Sequence, residues 1–127
     1  MKPITQEWVD KAEADYTAAL LFRGSRKKFI RDITCFHLQQ CVEKYLKGRM
    51  AEEGMAFPKT HDLEKLLDLV VKVEPLWETL RQALSAISNH AVEGHYPGHS
   101  VTPADARNLL AATTRIRKLV RSTLGLP

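Results

Sequence analysis

The segment from Cys35 to Lys47 divides into an apolar and a polar face when its residues are placed about 100° apart, as in an α-helix. The apolar face carries Cys35, Leu38, Cys41, Val42, Tyr45 and Leu46. The opposite face carries His37, Gln40, Glu43, Lys44 and Lys47, with Phe36 as its apolar member. Such a segment is expected to bury one face of a helix in a core. The polar face is therefore the first candidate for function.

Helical periodicity continues along the chain, and no segment shows the sustained alternation of a strand. Short connections favour antiparallel neighbours, so the pattern predicts an all-α, up-and-down bundle of four or five helices in a single domain spanning residues 1–127. Leu76, Leu80, Leu84 and Ile87 are expected to form one buried stripe. The helices are predicted from about Thr5 to Phe22, from about Arg31 to Glu53, from a cap at Thr60, from Pro75, and from Thr102-Pro103 to about Leu124.

Strict alternation of the helices predicts which loops meet in space. The loops at residues 54–59 and 94–102 are expected at one end of the bundle, and the basic connection at residues 23–31 at the other. The C-terminal basic residues would then lie near that connection. The polar side chains expected to converge near Lys47 are His61, Asp62, His95, Tyr96 and His99.

The charge is +4 and forms two basic clusters, which either attract an acidic partner such as nucleic acid or form a solvated surface. The first cluster contains Arg23, Arg26, Lys27, Lys28 and Arg31. The second contains Arg107, Arg115, Arg117, Lys118 and Arg121.

The sequence predicts a cytoplasmic protein that does not enter a membrane. No apolar run approaches the roughly 20 residues that span a bilayer, and the N-terminus has no apolar signal core. Cys35 and Cys41 lie about 9 Å apart along one predicted helix, which is too far for a disulfide. They are expected to be reduced, buried residues.

Five histidines raise the question of a metal site, but their spacing does not match one. The chain has no His-Glu-x-x-His and no paired Cys-x-x-Cys, so we predict no metal. A phosphate-binding glycine loop, a serine nucleophile elbow and a catalytic cysteine motif are also missing from the sequence. His61 is as well suited to local hydrogen bonding at a helix start as to a ligand contact, and the polar stripe can equally be a solvated face.

Four groups of residues resemble the HEPN domain, a family associated with nucleotide binding, over about residues 6–124. They are Trp8…Ala12…Asp15, Phe36…Gln39-Gln40…Glu43-Lys44…Leu46-Lys47, Thr60-His61-Asp62-Leu63 and Tyr96-Pro97. The resemblance implies an all-α bundle that forms a homodimer and is often encoded beside a minimal nucleotidyltransferase, in pairs that resemble toxin–antitoxin modules.

Many HEPN proteins are metal-independent ribonucleases that use an Arg-x4–6-His motif near the start of a late helix. The match in this chain, Arg31 to His37, lies in the second predicted helix instead. Among later residues, His90 and His95 are weak catalytic candidates, and Asn89 is a possible polar neighbour.

The resemblance and the polar stripe together predict a nucleotide-binding partner of a minimal nucleotidyltransferase, with no cofactor beyond the nucleotide ligand. The alternatives are a metal-independent ribonuclease toxin, which would bind RNA, and a non-catalytic dimeric adaptor. The residues predicted to contact the ligand are Gln40, Glu43, Lys44, Lys47, His61, Asp62, His95 and Tyr96.

Overall fold

The computed structural model describes residues 1–93 and 96–127, with the side chains of all of them except Val92 and Glu93. The regular elements in these ranges are helical, and no strand occurs among the described residues, so the prediction of an all-α fold is confirmed. The helices are α1 (Pro3–Phe22), α2 (Lys28–Glu52), α3 (Leu63–Val70), a 3₁₀ helix (Pro75–Leu80), α4 (Arg81–Glu93) and α5 (Pro103–Thr123).

Helix α2 is the centre of the bundle and packs against α1, α3, α4 and α5. Its predicted apolar face is buried along its whole length, which confirms the core assigned from the periodicity. Each of the following side chains is at most 1% exposed: Cys35, Leu38, Cys41, Val42, Tyr45 and Leu46.

Helices α1 and α2 run antiparallel and approach closely. The main-chain nitrogen of Lys2 and the hydroxyl of Thr5 each donate to Glu52 at 2.9 Å, so α1 begins beside the end of α2. Gly48 permits the close approach of α2 to Trp8 on α1, because a Cβ at this position would lie 3.2 Å from the Cβ of Trp8. A glycine in the middle of a long helix is therefore explained by packing.

Helix α3 begins at Leu63, and its N-cap is Asp62 and not the predicted Thr60. The Asp62 carboxylate accepts hydrogen bonds from the main-chain nitrogens of Glu64 and Lys65, as an N-cap residue does. The Thr60 hydroxyl accepts from the main-chain nitrogen of Asp62 instead, and so stabilises the turn before the helix. The predicted start of α5 is confirmed by a capping box between Thr102 and Asp105.

The segment predicted as the start of the fourth helix is a 3₁₀ helix before it becomes α4. A 3₁₀ helix has three residues per turn, so the stripe extrapolated from α-helical spacing fails there. Leu76, which was expected in the buried stripe, is 83% exposed, and the neighbouring Trp77 is buried instead. Leu84 and Ile87, which lie within α4, are buried as predicted.

The predicted position of the loop at residues 94–102 is wrong for its described part, because α3 does not cross the bundle. This helix has 8 residues, which is about 12 Å of length. The chain that follows it stays near the end of α2, where Glu74 accepts a hydrogen bond of 3.0 Å from Arg49. Helix α4 therefore runs back toward the start of α2.

The loop at residues 96–102 consequently lies at the start of α2, where Arg31 donates a 2.9 Å hydrogen bond to the main-chain oxygen of Val101. Arg31 and Lys47 are about 24 Å apart along the helix axis. The predicted convergence of Tyr96 and His99 near Lys47 is therefore wrong, and His95 lies outside the described residues.

Of the C-terminal basic residues, Arg107 lies beside the basic connection at residues 23–31 as predicted, whereas Arg117 and Arg121 lie away from it. Arg117 donates to Glu13 at 2.8 Å, and Arg121 donates to Glu13 and to the hydroxyl of Tyr45 at 3.2 Å each. These contacts connect the second half of α5 to the middle of α1 and α2. None of the described helices combines the length and apolar character needed to cross a bilayer.

The contacts of Glu13 predict a loss of stability in acid. Hydrogen bonding from Arg117 lowers the pKa of Glu13 below its ordinary value of 4.5. The stabilisation is thus present above the unfolded-state pKa and is lost as the pH falls through the lower folded-state pKa. Glu13→Gln should reduce the difference in unfolding free energy between about pH 6 and pH 3, by less than about 1 kcal/mol because the pair is partly exposed.

Urea unfolding at several pH values measures this difference, with the exposed Glu7→Gln on the same helix as the control. An acid response identical in Glu13→Gln and wild type would contradict the assignment.

Candidate functional site

The polar stripe of α2 is largely covered in its second half. Glu43 is 3% exposed and Lys47 is 6% exposed. The Lys47 ammonium donates to Glu43 Oε2 at 3.0 Å, and His61 Nδ1 lies 2.9 Å from Glu43 Oε1. The part of the stripe around Glu43 is therefore a buried hydrogen-bonded network and not a solvated face.

His61 is held at the surface by this network. Its main-chain oxygen accepts a 2.9 Å hydrogen bond from Gln39 Nε2, and Gln39 in turn accepts from Gln40 at 2.7 Å. The imidazole side chain is nevertheless 81% exposed. Because an ionised carboxylate only accepts, Nδ1 is the donor to Glu43, and Nε2 is the ring nitrogen that can meet a ligand.

Lys47 is compensated within the protein. Besides its ion pair with Glu43, its ammonium lies 5.6 Å from the centre of the Trp8 ring, in a cation–π arrangement. The Trp8 ring meets the Phe57 ring edge-on at a centroid distance of 6.0 Å. We infer that Lys47 orients Glu43, and through it His61, and has little charge to offer a ligand.

A second carboxylate–histidine pair joins α1 to α2. Asp15, 8% exposed, contacts His37 Nδ1 at 2.8 Å and the Lys44 ammonium at 2.5 Å. The Lys44 side chain is still 22% exposed, so it remains accessible from solvent. Phe36 lies beside this pair, with its ring 5.5 Å from that of His37.

Of the other predicted ligand contacts, Asp62 serves as the cap of α3, and Tyr96 is 62% exposed at the opposite end of the bundle. Hydrogen bonds from Thr102 lower the pKa of Asp105, and the catalytic candidate His90 lies close enough to Asp105 to contribute. His95, the other candidate, is outside the described residues.

Arg31 and His37 do not form a common site. The Arg31 guanidinium donates to the main-chain oxygens of Val101 and Arg26, whereas His37 pairs with Asp15. Six residues also place the two side chains about 120° apart around the helix. This arrangement gives no support to a ribonuclease site built from the pair.

The two cysteines offer no nucleophile. Burial raises the pKa of the Cys35 thiol to about 12, and it raises the pKa of Cys41 further. Both thiols therefore stay protonated near neutral pH. In the part of the chain that is described, no three histidine, cysteine, aspartate or glutamate side chains gather as metal ligands would.

The sequence did not single out Asp15, Gln39 or Trp8 as site residues. Gln39 and Trp8 contact the Glu43 network, and Asp15 holds His37 and Lys44. Asp15 falls on the same face of α1 as the buried Ala12 and Ala19. A carboxylate within such a stripe is a usable signal, because buried acids need a partner. The direct contact of Trp8 with Lys47 had no such signal, since an aromatic residue in an apolar stripe is ordinary core.

The protein is thus an all-α bundle in which the Glu43 carboxylate of the central helix α2 holds the exposed His61. The family model described as HEPN domain matches residues 5–123, so the chain belongs to the HEPN family. Searches of curated proteins and of solved structures found no significant match.

Proposed function

We propose that this HEPN protein binds a nucleotide, and that it works as a homodimer paired with a minimal nucleotidyltransferase in a toxin–antitoxin-like module. The observation that carries nucleotide binding is the His61 ring, which is 81% exposed although its Nδ1 is held by a buried carboxylate. An exposed side chain fixed in this way has already lost the freedom that a ligand contact would otherwise cost.

The ligand contacts follow from the groups around His61. Its Nε2 accepts from a base or ribose when neutral, and donates to a phosphate oxygen when protonated. Lys44 and Gln40 lie on the same side of α2 and add a cation and an amide. Lys47 and Glu43 act as positioning residues.

Calorimetric titration with nucleoside mono- and triphosphates tests this assignment. His61→Ala is expected to weaken binding by about tenfold or more, which corresponds to about one lost charged hydrogen bond. Lys44→Ala should weaken binding of the triphosphate more than binding of the monophosphate. The exposed Lys59→Ala, two residues before His61, is the matched control. Unchanged affinity in His61→Ala would contradict the site.

An exposed apolar stripe on the first half of α2 supports the homodimer. Phe29 is 60% exposed, Ile33 is 38% exposed and Phe36 is 41% exposed. Their spacing of four and three residues puts them on one side of the helix. Such a stripe on a surface helix is typical of a subunit interface.

Ile33→Asp is expected to convert the dimer to a monomer in sedimentation velocity at micromolar concentration, because a charge in the interface would be left without a partner. Leu76→Asp, which alters a side chain that is 83% exposed elsewhere, should leave the dimer intact. A dimer that survives Ile33→Asp would mean that the interface is elsewhere.

The pairing with a nucleotidyltransferase rests on the family. Co-expression with the product of a neighbouring gene of that class should yield a complex that survives gel filtration. Separate elution of the two proteins would contradict the pairing and would leave nucleotide binding to be judged by calorimetry.

A further inference from the structure

The other end of α2 carries a cleft that the nucleotide proposal does not use. It has a volume of about 310 Å³ and lies between the connection from α1 to α2 and the first turns of α5. Four arginines line it: Arg23, Arg26, Arg31 and Arg107. Its apolar part includes Phe22 and Leu110.

The positive charge of this cleft is uncompensated among the described residues. No aspartate or glutamate lines it, and none of its arginines forms an ion pair with a described carboxylate. Arg31 donates only to main-chain oxygens. By contrast, the cations of the Glu43 and Glu13 networks all have carboxylate partners.

Two acids lie next to these elements in the chain. Asp105 belongs to the capping box of α5, and Asp32 has one buried carboxylate oxygen without a hydrogen-bond partner among the described residues. Neither lines the cleft.

The backbone of the connection between α1 and α2 places Arg23 and Arg26 on the same side of the cleft. Gly24 has φ +80°, a conformation that side chains with a Cβ rarely adopt. The turn at this residue allows Arg23 and Arg26 to face the same cleft as Arg107 of α5. The charges thus come from the connection, from α2 and from α5, and they converge on the cleft.

We propose that this cleft binds a phosphomonoester whose organic part packs against Phe22 and Leu110. Guanidinium groups suit a phosphate because they donate paired hydrogen bonds in a planar fork and keep their charge. The volume is at the lower end of the range for small-molecule sites, about 300–1,000 Å³. Arg31 lies about 18 Å along the axis of α2 from Glu43, which holds His61, so this inference goes beyond the proposed function.

Two sources share this chemistry, a free nucleoside monophosphate and the phosphorylated 5′ end of an RNA. The test therefore titrates AMP, adenosine, inorganic phosphate, and a short oligoribonucleotide with and without its 5′ phosphate. The titrations are made in wild type and in His61→Ala, which removes the other proposed site. We expect a phosphate-dependent binding event that persists in His61→Ala.

Arg107→Gln and Ala106→Leu separate the role of charge from that of space. The first removes a cation, and the second fills the cleft without changing charge, since Ala106 lines it. Each substitution is expected to weaken binding of the phosphomonoester by about tenfold or more. Arg115→Gln, an exposed arginine two turns further along α5, is the matched control and should bind as wild type.

Preference for AMP would identify a free nucleotide as the ligand, and preference for the phosphorylated oligonucleotide would identify an RNA end; either supports the cleft. Equal weakening by Arg107→Gln and Arg115→Gln would mean non-specific attraction and would overturn the proposal. Equal binding of adenosine and AMP would also overturn the proposal, and so would a complete loss of AMP binding in His61→Ala. If His61→Ala binds AMP with the same affinity as wild type, that result counts only against the proposed function.

Discussion

Glu43→Ala should lower the free energy of unfolding by about 3–5 kcal/mol, because it leaves the Lys47 ammonium buried without its partner. Glu43 and Lys47 are 3% and 6% exposed, and Lys47 donates to Glu43 at 3.0 Å. The loss of the His61 contact adds to the effect, since His61 Nδ1 is 2.9 Å from the same carboxylate. Urea unfolding followed by circular dichroism measures the change.

Two controls separate a buried pair from an ordinary salt bridge. The double variant Glu43→Leu with Lys47→Met should recover most of the lost stability, because both charges are then removed together. Arg81→Ala breaks the more exposed contacts with Glu78 and Asp68 and should lower stability much less than Glu43→Ala does. A loss of less than about 1 kcal/mol in Glu43→Ala would mean that Lys47 reaches water.

Leu84→Ala is expected to cost about 2–5 kcal/mol, because Leu84 is fully buried in α4 and its truncation leaves a cavity in the core. The same substitution at Leu76 should cost less than about 0.5 kcal/mol, because that side chain is 83% exposed. Chemical denaturation of both variants under identical conditions provides the comparison.

The contrast between these two leucines also tests the 3₁₀ helix. If Pro75–Leu80 continued α4 with α-helical spacing, Leu76 and Leu84 would lie on one buried stripe and both truncations would be costly. Equal losses at the two positions would therefore contradict the observed register.

The elements that could be predicted are those whose local pattern agrees with their final packing. The core face of α2 follows from its helical period, and Thr102-Pro103 marks the start of α5 through a capping box. Here local hydrogen bonding and burial favour the same structure, so no information from distant residues is needed.

The direction of the later helices could not be predicted in the same way. It depends on the short α3 and on the contact between Arg49 and Glu74, which holds the chain near the end of α2. Nothing in the local pattern indicates that an amphipathic eight-residue helix will not cross the bundle. The expected meeting of Tyr96 with Lys47 failed for this reason.

The candidate site was predicted by residue type, whereas its internal pairing was not. Gln40, Glu43, Lys44 and Lys47 were selected because they share one side of a helix. Their partners come from other elements, with Asp15 on α1 and His61 before α3, and such pairs become visible only when the elements pack. A polar stripe that looks solvated in isolation is for this reason partly a buried network.

The same side of α2 changes character along its length. Phe29 and Ile33 expose apolar surface in the first half, and Glu43 and Lys47 are covered in the second half. The proposed dimer contact and the proposed nucleotide site therefore lie on one helix.

The most direct test of nucleotide binding is an NMR titration of the histidine ring resonances with AMP, with His61 assigned by comparison with His61→Ala. We expect a saturable shift of the His61 ring resonances, with Nδ1 remaining the protonated nitrogen because it stays hydrogen-bonded to Glu43. A His61 ring that does not move at saturating nucleotide would contradict it.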